Sequence, residues 1–105
     1  MKYETIEYEV VEDGIGVLSL NRPRRYNSIN EEMAQELESF WKDRLYDLDT
    51  HVIILRGTGK RNFCAGLDMK SVMKMMPEMD TDMCYRFQSR LARLNLVMRQ
   101  VPQPI

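Results

Sequence analysis

Val52-Ile53-Ile54-Leu55-Arg56-Gly57 is the stretch on which the fold of this sequence turns. With His51 it begins as a short, β-branched, apolar run over 51–55, the signature of a strand buried on both faces. Gly57-Thr58-Gly59 ends it. Just upstream, Met33, Leu37, Phe40, Trp41, Leu45 and Leu48 follow steps of 4, 3, 1, 4 and 3, one apolar stripe at helical period. Ser28-Ile29-Asn30-Glu31 fits a capping box at the start of that helix, and Asn30 is an equally good N-cap. Further upstream, Ile6, Tyr8 and Val10 alternate with Glu7 and Glu9 within residues 4–10, the period of a half-buried strand. Asp13-Gly14 reads as a turn into a second strand over 15–20, paired with the first as a hairpin and stopped by Arg22-Pro23.

Strand, strand, helix, buried strand is the order that makes strands 15–20 and 52–56 parallel neighbours, joined by a right-handed crossover through the helix. Downstream, Met69, Val72, Met73 and Met76 mark a short helix, beginning at Gly66 or Leu67 and closed by Pro77. Asp80 or Thr81 caps a longer helix with Phe87, Leu91, Leu94, Met98 and Val101 along one stripe, ended by Pro102 and Pro104. The fold class is therefore α/β: a strand hairpin, a helix, a parallel strand and two helices. Ile105 stands where a further strand is expected.

The chain has 105 residues, with 15 Lys and Arg against 16 Asp and Glu and a net charge of −1. That composition is a single globular domain at most, and the missing positive excess argues against a nucleic-acid partner. The longest apolar run, Val52 to Leu55, is too short to span a membrane, and Met1-Lys2-Tyr3-Glu4 carries charges where a signal peptide is expected to be apolar. Two cysteines make no secreted disulfide framework, so a cytoplasmic location is expected.

Several features read as structure first. His51 has no partner nucleophile and opens a strand. Cys64 and Cys84 have no metal-ligand spacing, so no metal is expected, and nothing nearby marks Cys64 as a thiolate. Gly57-Thr58-Gly59-Lys60 lacks the first glycine and the Ser/Thr of a phosphate loop, and Gly14-Ile15-Gly16 lacks the third glycine of a dinucleotide fingerprint. Arg86, Arg90 and Arg93 read as a solvated helix face. No serine has a nucleophile setting with a base in reach, which argues against a serine peptidase.

Charge is more informative. Arg22, Arg24 and Arg25 follow the second strand, and Arg56, Lys60 and Arg61 follow the buried one. Parallel pairing would gather these six cations beyond the C-terminal ends of the strands, where open α/β sheets bind ligands; a phosphate-bearing molecule would fit there, and basic loops that keep a surface soluble are the equal alternative. The stretch from Asn62 to Met69 is small and apolar. An N–H near Gly66, at a helix start, could meet a developing oxyanion; the plainer reading is a turn glycine with Asp68 as a first-turn charge. Six methionines at 69, 73, 75, 76, 79 and 83 read either as core and subunit contact or as a pocket for an acyl group.

Together, Gly16-Val17-Leu18-Ser19-Leu20-Asn21-Arg22-Pro23 with Asn27-Ser28-Ile29, Val52 to Gly57, and Phe63-Cys64-Ala65-Gly66-Leu67-Asp68-Met69 resemble two sequence blocks of the crotonase (enoyl-CoA hydratase/isomerase) superfamily. The resemblance implies the N-terminal part, over residues 1–105, of a crotonase-like spiral of ββα units that binds coenzyme A. It implies an acyl-CoA thioester as substrate, with coenzyme A part of that substrate and no permanently bound cofactor. Arg24 would face the nucleotide phosphates, Ser28 and Ala65 would offer backbone groups to the adenine, and Lys70 and Arg61 could add phosphate contacts. Gly66 and Asp68 would belong to the same coenzyme A-binding set. The backbone N–H of Leu67 would be the first donor of an oxyanion hole that stabilises a thioester enolate. The second donor and the catalytic carboxylates would lie past Ile105, so this piece alone would be inactive, and the full-length protein would be a homotrimer or hexamer. A non-catalytic coenzyme A-binding fragment is the alternative.

Overall fold

In the computed structural model, which describes residues 2–105, three strands form one sheet in the order β1-β2-β3. β1 (Ile6–Glu12) and β2 (Ile15–Leu20) pair antiparallel, with Ile6 opposite Leu20 and Tyr8 opposite Leu18. β3 (Val52–Gly57) pairs parallel with β2, with Leu18 opposite Leu55 and Leu20 opposite Gly57. Between them runs α1 (Glu31–Arg44), the expected crossover helix. The ladder sorts side chains onto two faces. One carries Ile6, Tyr8, Leu18, Leu20, Ile53 and Leu55 and packs under α1; the other carries Glu7, Glu9, Val17, Ser19, Ile54 and Arg56.

That division corrects two expectations. β3 is covered on one face only: Ile53 is 1 % exposed but Ile54 is 49 % exposed. An apolar run reads the same whether or not a second layer lies over it. Val10, expected to be half-buried, is 59 % exposed, because it lies at the end of β1 where the register slips between Val10 and Glu12.

α1 starts at Asn30, whose side chain accepts from the Met33 N–H at 2.9 Å, so Asn30 rather than Ser28 is the cap. Met33, Leu37, Phe40 and Trp41 are buried as the stripe requires. Leu48 falls past the helix end and is exposed. Each large apolar side chain buried here is worth about 2–3 kcal/mol. Phe40 meets Tyr8 and Trp41 edge-on at centroid distances of 4.8 and 5.0 Å, and the Arg44 guanidinium lies over both Tyr8 and Phe40.

α2 (Met69–Met75) passes into a 3-10 turn, Met76–Glu78, so Pro77 sits inside that turn rather than closing the helix from outside. α3 (Thr81–Gln100) is capped by Asp80 and buries Leu94 and Val97 near its C-terminal end. No residue of its N-terminal half is buried, and Phe87 and Leu91 are only half-buried. The radius of gyration, 14.6 Å, accordingly exceeds the about 13 Å usual for this length. After α3, the Gln103 amide donates to the carbonyls of Arg44 and Asp47, capping α1, and the Ile53 N–H donates to the Pro104 carbonyl at 2.9 Å. No helix among the described residues is long and apolar enough to cross a membrane.

Glu36 ties the start of the chain to α1. Its carboxylate is buried and accepts from the Thr5 hydroxyl and from the N–H groups of Glu4 and Thr5. Burial raises its pKa, but the Thr5 hydroxyl and the N–H groups of Glu4, Thr5 and Ile6 outweigh it and hold the pKa below its ordinary 4.5. A depressed carboxylate stabilises the fold above its unfolded value and loses that contribution as pH falls through the folded one. Glu36→Gln is expected to cost about 2 kcal/mol at neutral pH. In thermal melts from pH 7 downwards, the gap between the two proteins should narrow below about pH 4.5.

Candidate functional site

Two loops leave the sheet at the same end, one after β2 and one after β3. Asn27 fastens them together. It is fully buried and takes a left-handed φ of 54°, which asparagine tolerates better than most residues. Its Oδ1 accepts from the Arg22 N–H at 2.8 Å, and its Nδ2 donates to the carbonyls of Thr58 and Asn62 at 2.9 and 3.1 Å. Gly57 leaves room for this contact, since a Cβ there would collide with the Phe63 carbonyl and the Asn27 amide. The loops then run side by side. Ala65 N–H donates to the Tyr26 carbonyl, Ile29 N–H to Gly66, and Asp68 N–H to Ile29, at 3.0, 2.7 and 2.9 Å.

These last two bonds form a parallel bridge between Ile29 and Leu67. In such a bridge the flanking carbonyl and N–H are consumed while the central residue's own N–H points away. No acceptor among the described residues meets the Leu67 N–H. Gly66 has φ 99°, a conformation that favours glycine, and a Cβ there would meet nothing, so backbone conformation rather than space selects it.

Arg22 is a second fastener. Its Nη1 donates to the Ser28 carbonyl at 2.5 Å and to the Ser28 hydroxyl at 3.2 Å, and its Nη2 meets Asp68 Oδ2 at 3.0 Å. The other oxygen of Asp68 accepts from the Lys70 and Ser71 N–H groups. Partial burial raises the Asp68 pKa, but the Arg22 hydrogen bond, the Ser71 N–H, the Arg22 charge and the Lys70 N–H outweigh it and hold the carboxyl below its ordinary value. Asp68 is thus the N-cap of α2, not a first-turn charge. The helix begins at Met69, two residues later than expected of Leu67, because the Asp68 side chain takes its first free N–H groups. Leu67 N–H stands just before the helix rather than within its first turn.

Of the six expected rim cations, Arg22 is spent on Ser28 and Asp68, and Arg56 reaches across the open sheet face to the Ser19 hydroxyl at 2.9 Å. Arg24, Arg25, Lys60 and Arg61 are exposed and make no ion pair among the described residues. A cup of about 320 Å³ lies between Pro23 and Tyr26 on one loop and Lys60 and Arg61 on the other. Lys70 is exposed nearby in sequence to Leu67. Ser28 is buried, and its N–H and carbonyl are engaged by Arg25 and Arg22, which leaves it no free backbone donor. The Ala65 carbonyl accepts no hydrogen bond among the described residues.

On the other side of Leu67 lies an apolar cleft of about 250 Å³, walled by Ile29 and Ala34, by Val72 and Met75, and by Met79, Met83, Phe87 and Leu91. The methionines therefore divide: Met75, Met79 and Met83 line the cleft, Met83 from an exposed position at its edge, whereas Met69, Met73 and Met76 are exposed away from it. Arg90 is not merely solvated, since it bonds Glu31 at 2.5 Å across the cleft mouth. Cys64 is half-buried, and its sulfur accepts from the Gly66 N–H at 3.4 Å. His51 serves the β1–β2 turn: its N–H donates to the Gly14 carbonyl and its ring stands where a Gly14 Cβ would go. The described residues hold no cluster of metal-ligating side chains.

Residues 15–105 match the family described as Enoyl-CoA hydratase/isomerase. The chain belongs to the enoyl-CoA hydratase/isomerase family. It is 28 % identical over 102 residues to the Bacillus subtilis (strain 168) protein YngF and 37 % identical over 98 residues to the 1,2-epoxyphenylacetyl-CoA isomerase of Escherichia coli (strain K12). Those alignments take in 97 % and 90 % of this chain but 38 % and 36 % of the relatives. The crystal structure of enoyl-CoA hydratase from Bacillus anthracis superimposes with a TM-score of 0.85 at 28 % identity, over 96 % of this chain and 38 % of that one. Pseudomonas aeruginosa AtuE gives 0.87 at 25 % identity, over 95 % and 38 %. The crotonase-type α/β architecture expected from the sequence is thus present, and the chain spans under two fifths of these relatives.

Within this family member, the structure brings Ala65, Gly66, Leu67 and Asp68 against Tyr26 to Ile29 and sets Arg61 on the cup beside Pro23 and Tyr26, while Arg24 lies in the 3-10 turn between those two residues and does not line the cup. Sequence reasoning missed Tyr26 and Asn27 as loop fasteners and Glu36 as a buried acceptor. Adjacent left-handed residues, Tyr26 and Asn27, follow a short Pro23–Arg25 turn, and an asparagine there was the available signal. Asn27→Ala should cost about 3 kcal/mol by leaving the Arg22 N–H and two carbonyls unpaired. Urea unfolding of Asn27→Ala beside Ile29→Val, which should cost about 1 kcal/mol, checks it.

Proposed function

We propose that residues 1–105 form the coenzyme A-binding part of an acyl-CoA-transforming enzyme, with the Leu67 N–H as one donor of the oxyanion hole. One observation carries this reading: the Ile29–Leu67 bridge consumes the groups on either side and leaves the Leu67 N–H unpaired. A preorganised donor of that kind stabilises a thioester enolate by about 3 kcal/mol. Arg24, Arg61 and Lys70 supply cations for the phosphates and the 3′-end of the nucleotide. The Ala65 carbonyl is free to accept from the adenine amino group, and Gly66 and Asp68 hold the loop on which it sits. Ser28 contributes by anchoring Arg22 rather than by a free donor. The apolar cleft takes the acyl group.

The simplest reaction is hydration of a 2-enoyl thioester, with acid and base groups from outside residues 1–105. The acidic residues near the site favour that division of labour. Of the acidic residues lining the cleft, Asp68 is held by Arg22 and caps α2, and Glu31 pairs with Arg90. The same observation favours the second reading, a piece that binds coenzyme A without turning substrate over. Assembly into a homotrimer or hexamer, and a cytoplasmic location, belong to the first reading.

Calorimetry with coenzyme A, and loss of the enoyl absorbance of crotonyl-CoA in the full-length protein that also carries the acid and base groups from outside residues 1–105, separate the two. Binding with turnover supports the enzyme, and binding without it supports the second reading; absence of binding rejects both. Leu67→Ala keeps the N–H and should change turnover by less than about threefold, whereas Leu67→Pro removes it and should cost about 10²–10³. Affinity for coenzyme A should fall with added salt and in Arg24→Ala, because the phosphate contacts are exposed and screened.

A further inference from the structure

We infer that Arg22 is a positioning residue that sets the direction of the Leu67 N–H through Asp68 and so couples the nucleotide-binding loop to the oxyanion donor. This rests on the reading of Leu67 as that donor. Arg22 begins the first loop, and its side chain leaves the rim it was expected to join. The side chain is 16 % exposed, and its guanidinium spans two segments at once, with Nη1 on the Ser28 carbonyl and Nη2 on Asp68. Ser28 directly precedes Ile29, the residue bridged to Leu67, and Asp68 directly follows Leu67. Arg22 therefore grips both strands of the bridge one residue from its centre. Its own N–H is held by Asn27, so its backbone is fixed as well.

The chain of contacts has a defined output. If Asp68 swings away, its N–H to the Ile29 carbonyl and its cap on Lys70 and Ser71 change together, and the bridge loosens with them, including the Ile29 N–H bond to the Gly66 carbonyl that fixes the peptide unit carrying the Leu67 N–H. The input is equally defined: Arg24 and Arg25 form the 3-10 turn between Arg22 and Asn27, and a ligand phosphate on Arg24 pulls on the same short loop. A planar, two-pronged guanidinium can hold a carbonyl and a carboxylate simultaneously; a lysine ammonium on its flexible stem does so poorly.

The test compares Arg22→Gln, Arg22→Lys and Asp68→Asn with the unsubstituted protein. Butyryl-CoA labelled with 13C at the thioester carbonyl is saturated, so it reports carbonyl polarisation by its infrared band without turnover. In the unsubstituted protein the bound band should move to lower frequency. Arg22→Gln should lose at least about half of that movement, with the affinity for coenzyme A itself changed by less than about threefold. With crotonyl-CoA and the full-length protein that carries the acid and base groups, kcat should fall about tenfold or more while KM stays within about twofold, and Arg22→Lys should recover part of the loss. Asp68→Asn keeps the cap acceptor and removes the charge, so it serves where Arg22→Gln fails to fold, with the same expected loss. A full band shift in folded Arg22→Gln or Asp68→Asn overturns the role of Arg22. So does a loss of coenzyme A affinity as large as the loss of kcat. Absence of a shift in the unsubstituted protein, with coenzyme A bound, overturns the donor reading of Leu67 and this inference with it.

Discussion

Because β2 and β3 run parallel, both chains leave the sheet at the same end, and every feature of the candidate site follows from that pairing. An antiparallel partner would send the Arg22–Asn30 loop and the Thr58–Asp68 loop to opposite ends. Parallel pairing also demands a crossover, and α1 supplies it while covering one face of the sheet. The burial of Phe40, Trp41 and Leu18 under that crossover is the main apolar stabilisation.

Once two irregular loops lie together, their backbone polar groups must be satisfied without a regular ladder. Asn27 and Arg22 do this in complementary ways. Asn27 is neutral, fully buried and pairs with one N–H and two carbonyls. Arg22 is charged, mostly buried and bonded both to a carbonyl and to a carboxylate, which reduces the cost of keeping its charge out of water. The Ile29–Leu67 bridge completes the join. It leaves the Leu67 N–H without an acceptor among the described residues.

The elements themselves were legible, because each rests on local periodicity. Steps of four and three from Met33 to Trp41 gave α1, the alternation around Ile6 and Tyr8 gave β1, and the β-branched run gave β3. Their ends were less legible. Leu48 continues the apolar stripe after the helix has stopped at Arg44, and Asp68 looks like a first-turn residue until its side chain is seen to cap the helix. The basic rim was half right. A count of cations after two strands identifies which charges are near the sheet end, but only side-chain direction shows that Arg22 turns inward and Arg56 onto the sheet face.

What the sequence determined by itself is the order of strands and helices, the parallel crossover, and the family, since these depend on residue types at short spacing. Only the tertiary structure decided that Asn27 and Arg22 hold the two loops together, that Glu36 is a buried acceptor, and that one face of β3 lies open. Those are contacts between residues 31 or more positions apart, such as Asn27 with Thr58, Arg22 with Asp68 and Glu36 with Thr5. A polar side chain carries no mark of its distant partner, so its role becomes visible only when the fold has set the distance between them.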